Sequence, residues 1–111
     1  MNSAPDTAVG YILVAAMLLI AVVDQLAAVG RIRRNGFVGM RIPPTMASDE
    51  AWLAGHRAAA VPLWVGFALT AVVAVGATLM GAGSIPSIVL FALTLAWAVV
   101  AAWRGANRGA L

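Results

Sequence analysis

Polar and apolar positions are segregated along this chain into long blocks. Residues 9–29 (VGYILVAAMLLIAVVDQLAAV) form an apolar run whose one charge is Asp24. Residues 61–80 (VPLWVGFALTAVVAVGATLM) and 85–103 (IPSIVLFALTLAWAVVAAW) carry no charge at all. Each run is about as long as the ~20 residues that a helix needs to cross a hydrocarbon core. The pattern predicts an all-α membrane protein, one membrane domain over residues 1–111. Three transmembrane helices are expected at about 9–29, 61–80 and 85–103. Between the first and second lies a polar loop with an interfacial helix, residues 31–60. The first run reads as a span and not a cleaved leader, because no basic residue precedes it and it exceeds the usual apolar length of a signal peptide.

Tyr11 marks one end of the first helix, and Gly30-Arg31 the other. The segment RIRRNGFVGMRIPP that follows cannot be a regular helix. Asn35-Gly36 is a turn dipeptide, Gly39 a second flexible point, and Pro43-Pro44 excludes helix around it. Helix resumes with Ser48 or Thr45 as a cap, and Asp49 and Glu50 fall in the first turn, at the positive end of the helix dipole. From there to Pro62 the sequence DEAWLAGHRAAA has a helical pattern but is too polar to span. It either lies at the membrane interface or extends the second span, and Pro62 predicts a bend where the membrane begins. Trp64, and Trp103 beside Arg104, fit an interfacial aromatic belt. Ser84 and Pro86 start the third helix after the turn GAGS.

Lipid tails are as apolar as leucine, so helices in a membrane are held by close packing and a few hydrogen bonds. The second span offers Gly66, Thr70, Ala74 and Thr78 at a spacing of four, and the third offers Thr94, Ala98 and Ala102. The short GAGS turn makes these two helices antiparallel neighbours, and the two stripes are expected to face each other.

Composition sharpens the class. Hydrophobic residues make up 63% and charged residues 10%, a balance foreign to soluble domains. The formal charge of +3 comes from arginine alone. Arg31, Arg33, Arg34, Arg41 and Arg57 lie in the first connection, and Arg104 and Arg108 lie in the tail. The positive-inside rule then places the N-terminus outside and the 31–60 stretch inside. It also places the GAGS turn outside and the C-terminus in the cytoplasm, as for a multi-pass protein of a bacterial cytoplasmic membrane. Because the arginines sit where topology needs them, no direct nucleic-acid partner is expected. Cysteine is absent, which excludes disulfides and thiolate chemistry.

The candidate chemistry collects in the loop. A helix starting near Ser48 puts Trp52 and His56 on one face, and Glu50, Leu53 and Arg57 on another. Arg41, Thr45, Asp49, Glu50, Trp52, His56 and Arg57 can form an interfacial hydrogen-bonded cluster, or a site for an anionic lipid head group or a peptide. Trp52 fits an interface anchor, and His56 an exposed or partnered interfacial histidine. One histidine and a few carboxylates fall short of a zinc set. No nucleophile–base spacing and no phosphate loop is present, so neither cofactor nor enzymatic activity is expected. Asp24 lies ~9 Å deep at 1.5 Å per residue. An acid inside a membrane is costly, and its expected partner is Arg41, Arg57 or His56.

The block Asn35, Gly36, Gly39-x-Arg41-x-Pro43-x-Thr45, Asp49, Glu50, Trp52, His56-Arg57 resembles the signature of the SdpI family of bacterial membrane proteins. One helix before the block and two after it also resemble that family's core. Pro44 doubles the proline here, and Ala59-Ala60 stand where the family often has glycine. The resemblance implies immunity and signalling: the namesake protects its producer from a secreted toxic peptide and sequesters a transcriptional repressor at the membrane. Longer members carry further spans and an N-terminal domain. The expected function is a non-enzymatic accessory subunit of a larger membrane complex, for example a respiratory-chain assembly, in contact with other membrane proteins. The alternative is an SdpI-like immunity or signalling protein.

Overall fold

The computed structural model describes residues 4–109. The described residues form four helices: α1 (Ala4–Ala28), α2 (Pro43–Met46), α3 (Asp49–Met80) and α4 (Ile85–Gly109). Three of them, α1, α3 and α4, are long and apolar enough to cross a membrane. The fold is all-α, with a polar loop and the short α2 between the first and second spans.

Glycine sets two of the helix ends. At Gly30 (φ 84°) the Gly30 N–H donates to Ala27 C=O and the Arg31 N–H to Leu26 C=O. At Gly81 (φ 69°) the same pair of bonds runs to Thr78 and Ala77. This is the Schellman closure, in which a left-handed residue without Cβ lets two late carbonyls find donors. At the start of α3 the Ser48 hydroxyl accepts the Ala51 N–H at 3.0 Å, with Asp49 and Glu50 in the first turn. Where α4 begins, the Asp6 carboxylate accepts both the N–H and the hydroxyl of Ser84, tying the head of α1 to the α3–α4 turn.

The helix that the sequence leaves either interfacial or continuous with the second span is continuous. Residues 49–80 form one helix through Pro62, without the separate interfacial helix expected after Ser48. Its length of ~48 Å at 1.5 Å per residue nearly equals the 49 Å long axis of the molecule. Pro62 therefore does not fold the chain back. It costs one backbone bond, which membrane helices tolerate, and its ring is buried. α4 likewise runs past the expected end at 103 to Gly109.

α3 is the central helix; α1 and α4 pack against it and touch each other far less. Both neighbours run antiparallel to it. Tyr11 near the head of α1 shares a hydroxyl bond of 3.0 Å with Thr78 near the end of α3, and Trp64 Nε1–H donates to Gln25 Oε1 at 3.1 Å. The core is small: Met17, Ala21, Ala59, Leu63, Ala98 and Ala102. Glycines bring α3 and α4 close. A Cβ at Gly66 would lie 2.0 Å from Thr94 Cγ2, and one at Gly105 2.4 Å from Ala58 Cβ. Gly66, Thr70, Ala74, Thr94, Ala98 and Ala102 are all buried. Thr78 is exposed and faces Tyr11 of α1. The seam also uses Gly55, Gly105 and Gly109, which lie beyond the predicted spans.

Candidate functional site

The 31–60 stretch folds over the end of the bundle opposite the GAGS turn, and Thr45, Trp52 and His56 turn inward beneath it. Asn35 organises the first bend. Its Oδ1 accepts the N–H groups of Phe37 and Val38, each at 2.8 Å, and its Nδ2 donates to the carbonyls of Arg33 and Val38. The Arg41 guanidinium closes the same bend by donating to Gly36 C=O at 2.7 Å.

Gly39 (φ 106°) then brings the backbone against the α3 rings. A Cβ there would lie 2.6 Å from Trp52 Cη2 and 3.2 Å from His56 Nε2. Only glycine meets both the dihedral and the space. The next residue makes the central contact: the Met40 N–H donates to His56 Nε2 at 2.9 Å. Because Nε2 accepts, the imidazole proton sits on Nδ1, where it donates to Trp52 C=O at 2.7 Å. His56 is a neutral bridge, fully buried and 4.2 Å from the Trp52 ring between centroids.

Thr45 holds the loop from the other side. Its hydroxyl lies 2.6 Å from Met40 C=O and 2.9 Å from Ile42 C=O as donor, and accepts the Ile42 N–H. Pro43 and Pro44 set the extended entrance to α2, and Pro44 is buried. Trp52 is 1% exposed and its Nε1–H donates to Ile32 C=O at 2.9 Å. That corrects its reading as an interface anchor: the indole is a pillar under the loop. Arg57 donates from Nε to Ala28 C=O at 3.3 Å, at the negative end of the α1 dipole. Arg34 donates to Met46 C=O and pairs with Asp49 at 3.3 Å. Asp49 is mostly exposed, so that pair contributes little. Glu50 points outward. Among the described residues, no group of three or more His, Asp or Glu side chains could hold a metal ion.

Asp24 is 3% exposed, and neither of its carboxylate oxygens has a hydrogen-bond partner. The expected bridge to Arg41, Arg57 or His56 is not formed, because each of those groups is bound to a backbone group elsewhere. Asp24 instead belongs to the wall of an apolar groove of about 350 Å³ between α1 and the Phe37–Met40 backbone, with Leu19, Ile20, Val23 and Leu63.

The chain's own pattern of glycine, arginine, proline, threonine, tryptophan and histidine is therefore one folded unit with the α3–α4 pair behind it. The family model described as the SdpI/YfhL protein family matches residues 31–105, about two thirds of the chain. The chain belongs to the SdpI/YfhL family. No curated protein and no solved structure matches it. The SdpI/YfhL match begins at the loop and covers α2, α3 and most of α4; α1 with Asp24 precedes it.

A carboxylate buried without a partner costs free energy that a neutral isostere does not. Asp24→Asn in this SdpI/YfhL protein is therefore expected to keep or raise the melting temperature in detergent. A fall of several degrees would mean that the carboxylate has a stabilising partner.

Proposed function

We propose that this protein acts through contacts with other membrane proteins, as a non-enzymatic accessory subunit of a larger assembly in the bacterial cytoplasmic membrane. The loop end and the C-terminus face the cytoplasm and the N-terminus lies outside, an orientation supported by the placement of every arginine at or beyond the loop end of a span. The observation that carries the functional reading is the direction of the loop's hydrogen bonds. His56, Thr45, Trp52 and Asn35 use their polar atoms on the loop's own backbone. What remains on the outside is a fixed platform bearing Arg31, Arg33 and Glu50. A surface built before binding avoids the ordering cost of a flexible loop. The SdpI family is not a known enzyme family, which fits a role in binding.

The family match favours a second reading, an immunity or signalling protein. In that reading the same platform meets a soluble repressor and the membrane-embedded part resists a toxic peptide.

Purification of the tagged chain from its native membranes in mild detergent, with mass spectrometry and sizing, separates the two. Recovery in a large assembly at constant ratio is the expected result. Recovery alone, or with a soluble DNA-binding protein, would reject the subunit reading and leave immunity and signalling.

A further inference from the structure

Arg104 and Arg108 stand one turn apart on α4, away from the loop's hydrogen-bond cluster. With Trp97, Val100 and Ala101 of the same helix and Ala58 of α3 they line a groove of about 340 Å³. Its floor exists because the residues between the large side chains are small. Gly105 draws α4 onto α3 at Ala58, and Ala58 and Ala101 leave the space above them unfilled.

The polar and apolar parts of this groove are separated along the helix axis. Arg104 lies ~29 Å above Ile85 at 1.5 Å per residue, close to the ~30 Å of a hydrocarbon core. The guanidiniums thus meet the bilayer at its boundary, and half-exposed Trp97 and Val100 sit ~6–10 Å inside it. Neither arginine makes an ion pair or hydrogen bond among the described residues. Two free guanidiniums in register favour an anion with several oxygens, above all a phosphate. An apolar channel continuing inward from them favours a hydrocarbon chain on the same molecule.

We propose that this groove binds an anionic phospholipid, its phosphate against Arg104 and Arg108 and one acyl chain along Val100, Ala101 and Trp97. The site goes beyond the proposed function and does not depend on it.

The test is lipid binding to the detergent-purified full chain by native mass spectrometry, with phosphatidylglycerol, phosphatidylcholine and inorganic phosphate as probes. Phosphatidylglycerol is expected to bind on the order of 30-fold tighter than phosphatidylcholine, from two arginines near a membrane surface. The double variant Arg104→Ala/Arg108→Ala should abolish that preference, and Arg31→Ala/Arg33→Ala should retain it. Both arginine pairs are exposed, so neither variant threatens folding. No preference in the wild-type chain, or equal loss in both double variants, would overturn the site in favour of diffuse attraction. Displacement of the lipid by millimolar inorganic phosphate would overturn the lipid as its occupant in favour of a free anion.

Discussion

Gly66→Ala is expected to destabilise the protein by about 3 kcal/mol, at the upper end for overpacking a closed core. The new methyl group would meet Thr94 Cγ2 at 2.0 Å, Oγ1 at 2.4 Å and Cβ at 2.7 Å. Rotating the threonine can relieve the first two contacts but leaves Cβ in place at 2.7 Å, so the helices themselves must separate. Reversible unfolding in mixed micelles measures the loss. Thr94→Gly in the same chain should recover most of it, although a helix glycine carries a penalty of its own of about 1 kcal/mol. Gly76→Ala is the control, since nothing lies within 4 Å of the Cβ it would add. Equal losses at Gly66 and Gly76, or no recovery in the double variant, would show that the α3–α4 seam does not depend on this approach.

The contrast between these two glycines shows what hydropathy conveys and what it leaves out. Charge-free runs located the membrane-crossing parts of α3 and α4, because no other structure satisfies the backbone in lipid. The ends of those helices were less legible. Asp49 to Ala60 is too polar to read as membrane and too regular to read as loop, and Pro62 signals an interruption that the fold absorbs. Gly55, Gly105 and Gly109 are illegible for the same reason: they lie outside the apolar runs, whereas the seam continues beyond those runs.

The loop residues were legible as a group but not in their roles. Spacing puts Trp52 and His56 on one helix face, yet nothing in the sequence says that the carbonyl of Ile32 and the amide of Met40 lie opposite them. Asp24 failed for the converse reason. Charge and depth nominated Arg41, Arg57 and His56 as partners, but each is held by a nearer backbone group. In a loop without ladder hydrogen bonds, orphan backbone groups compete strongly for every side-chain donor and acceptor. That competition explains why, among the described residues, so polar a segment forms a single ion pair, Arg34–Asp49.

The largest effect on the platform is expected from His56→Ala. Removing the imidazole leaves the Met40 N–H without its acceptor, which costs about 1–3 kcal/mol for a buried group. It also leaves a cavity beside Trp52, worth about 2 kcal/mol or more. The sum, about 3–5 kcal/mol, falls on a loop whose other buried side-chain supports are the Thr45 hydroxyl and the Trp52 indole. The loop should therefore open while the α3–α4 seam persists. Amide exchange at Met40 should accelerate by about two to four orders of magnitude, at about 1.4 kcal/mol per decade, with helical circular dichroism nearly unchanged. Trp52→Phe keeps an aromatic ring but gives up both the bond to Ile32 and the indole edge that packs on Gly39, so its effect should be about 2–3 kcal/mol. The same His56→Ala chain also separates platform from charge, since every arginine remains. If a partner reads the built surface, the variant loses it; if a partner responds only to positive charge, the variant binds as before. Unchanged Met40 exchange would sink the bridge itself, and with it the platform reading.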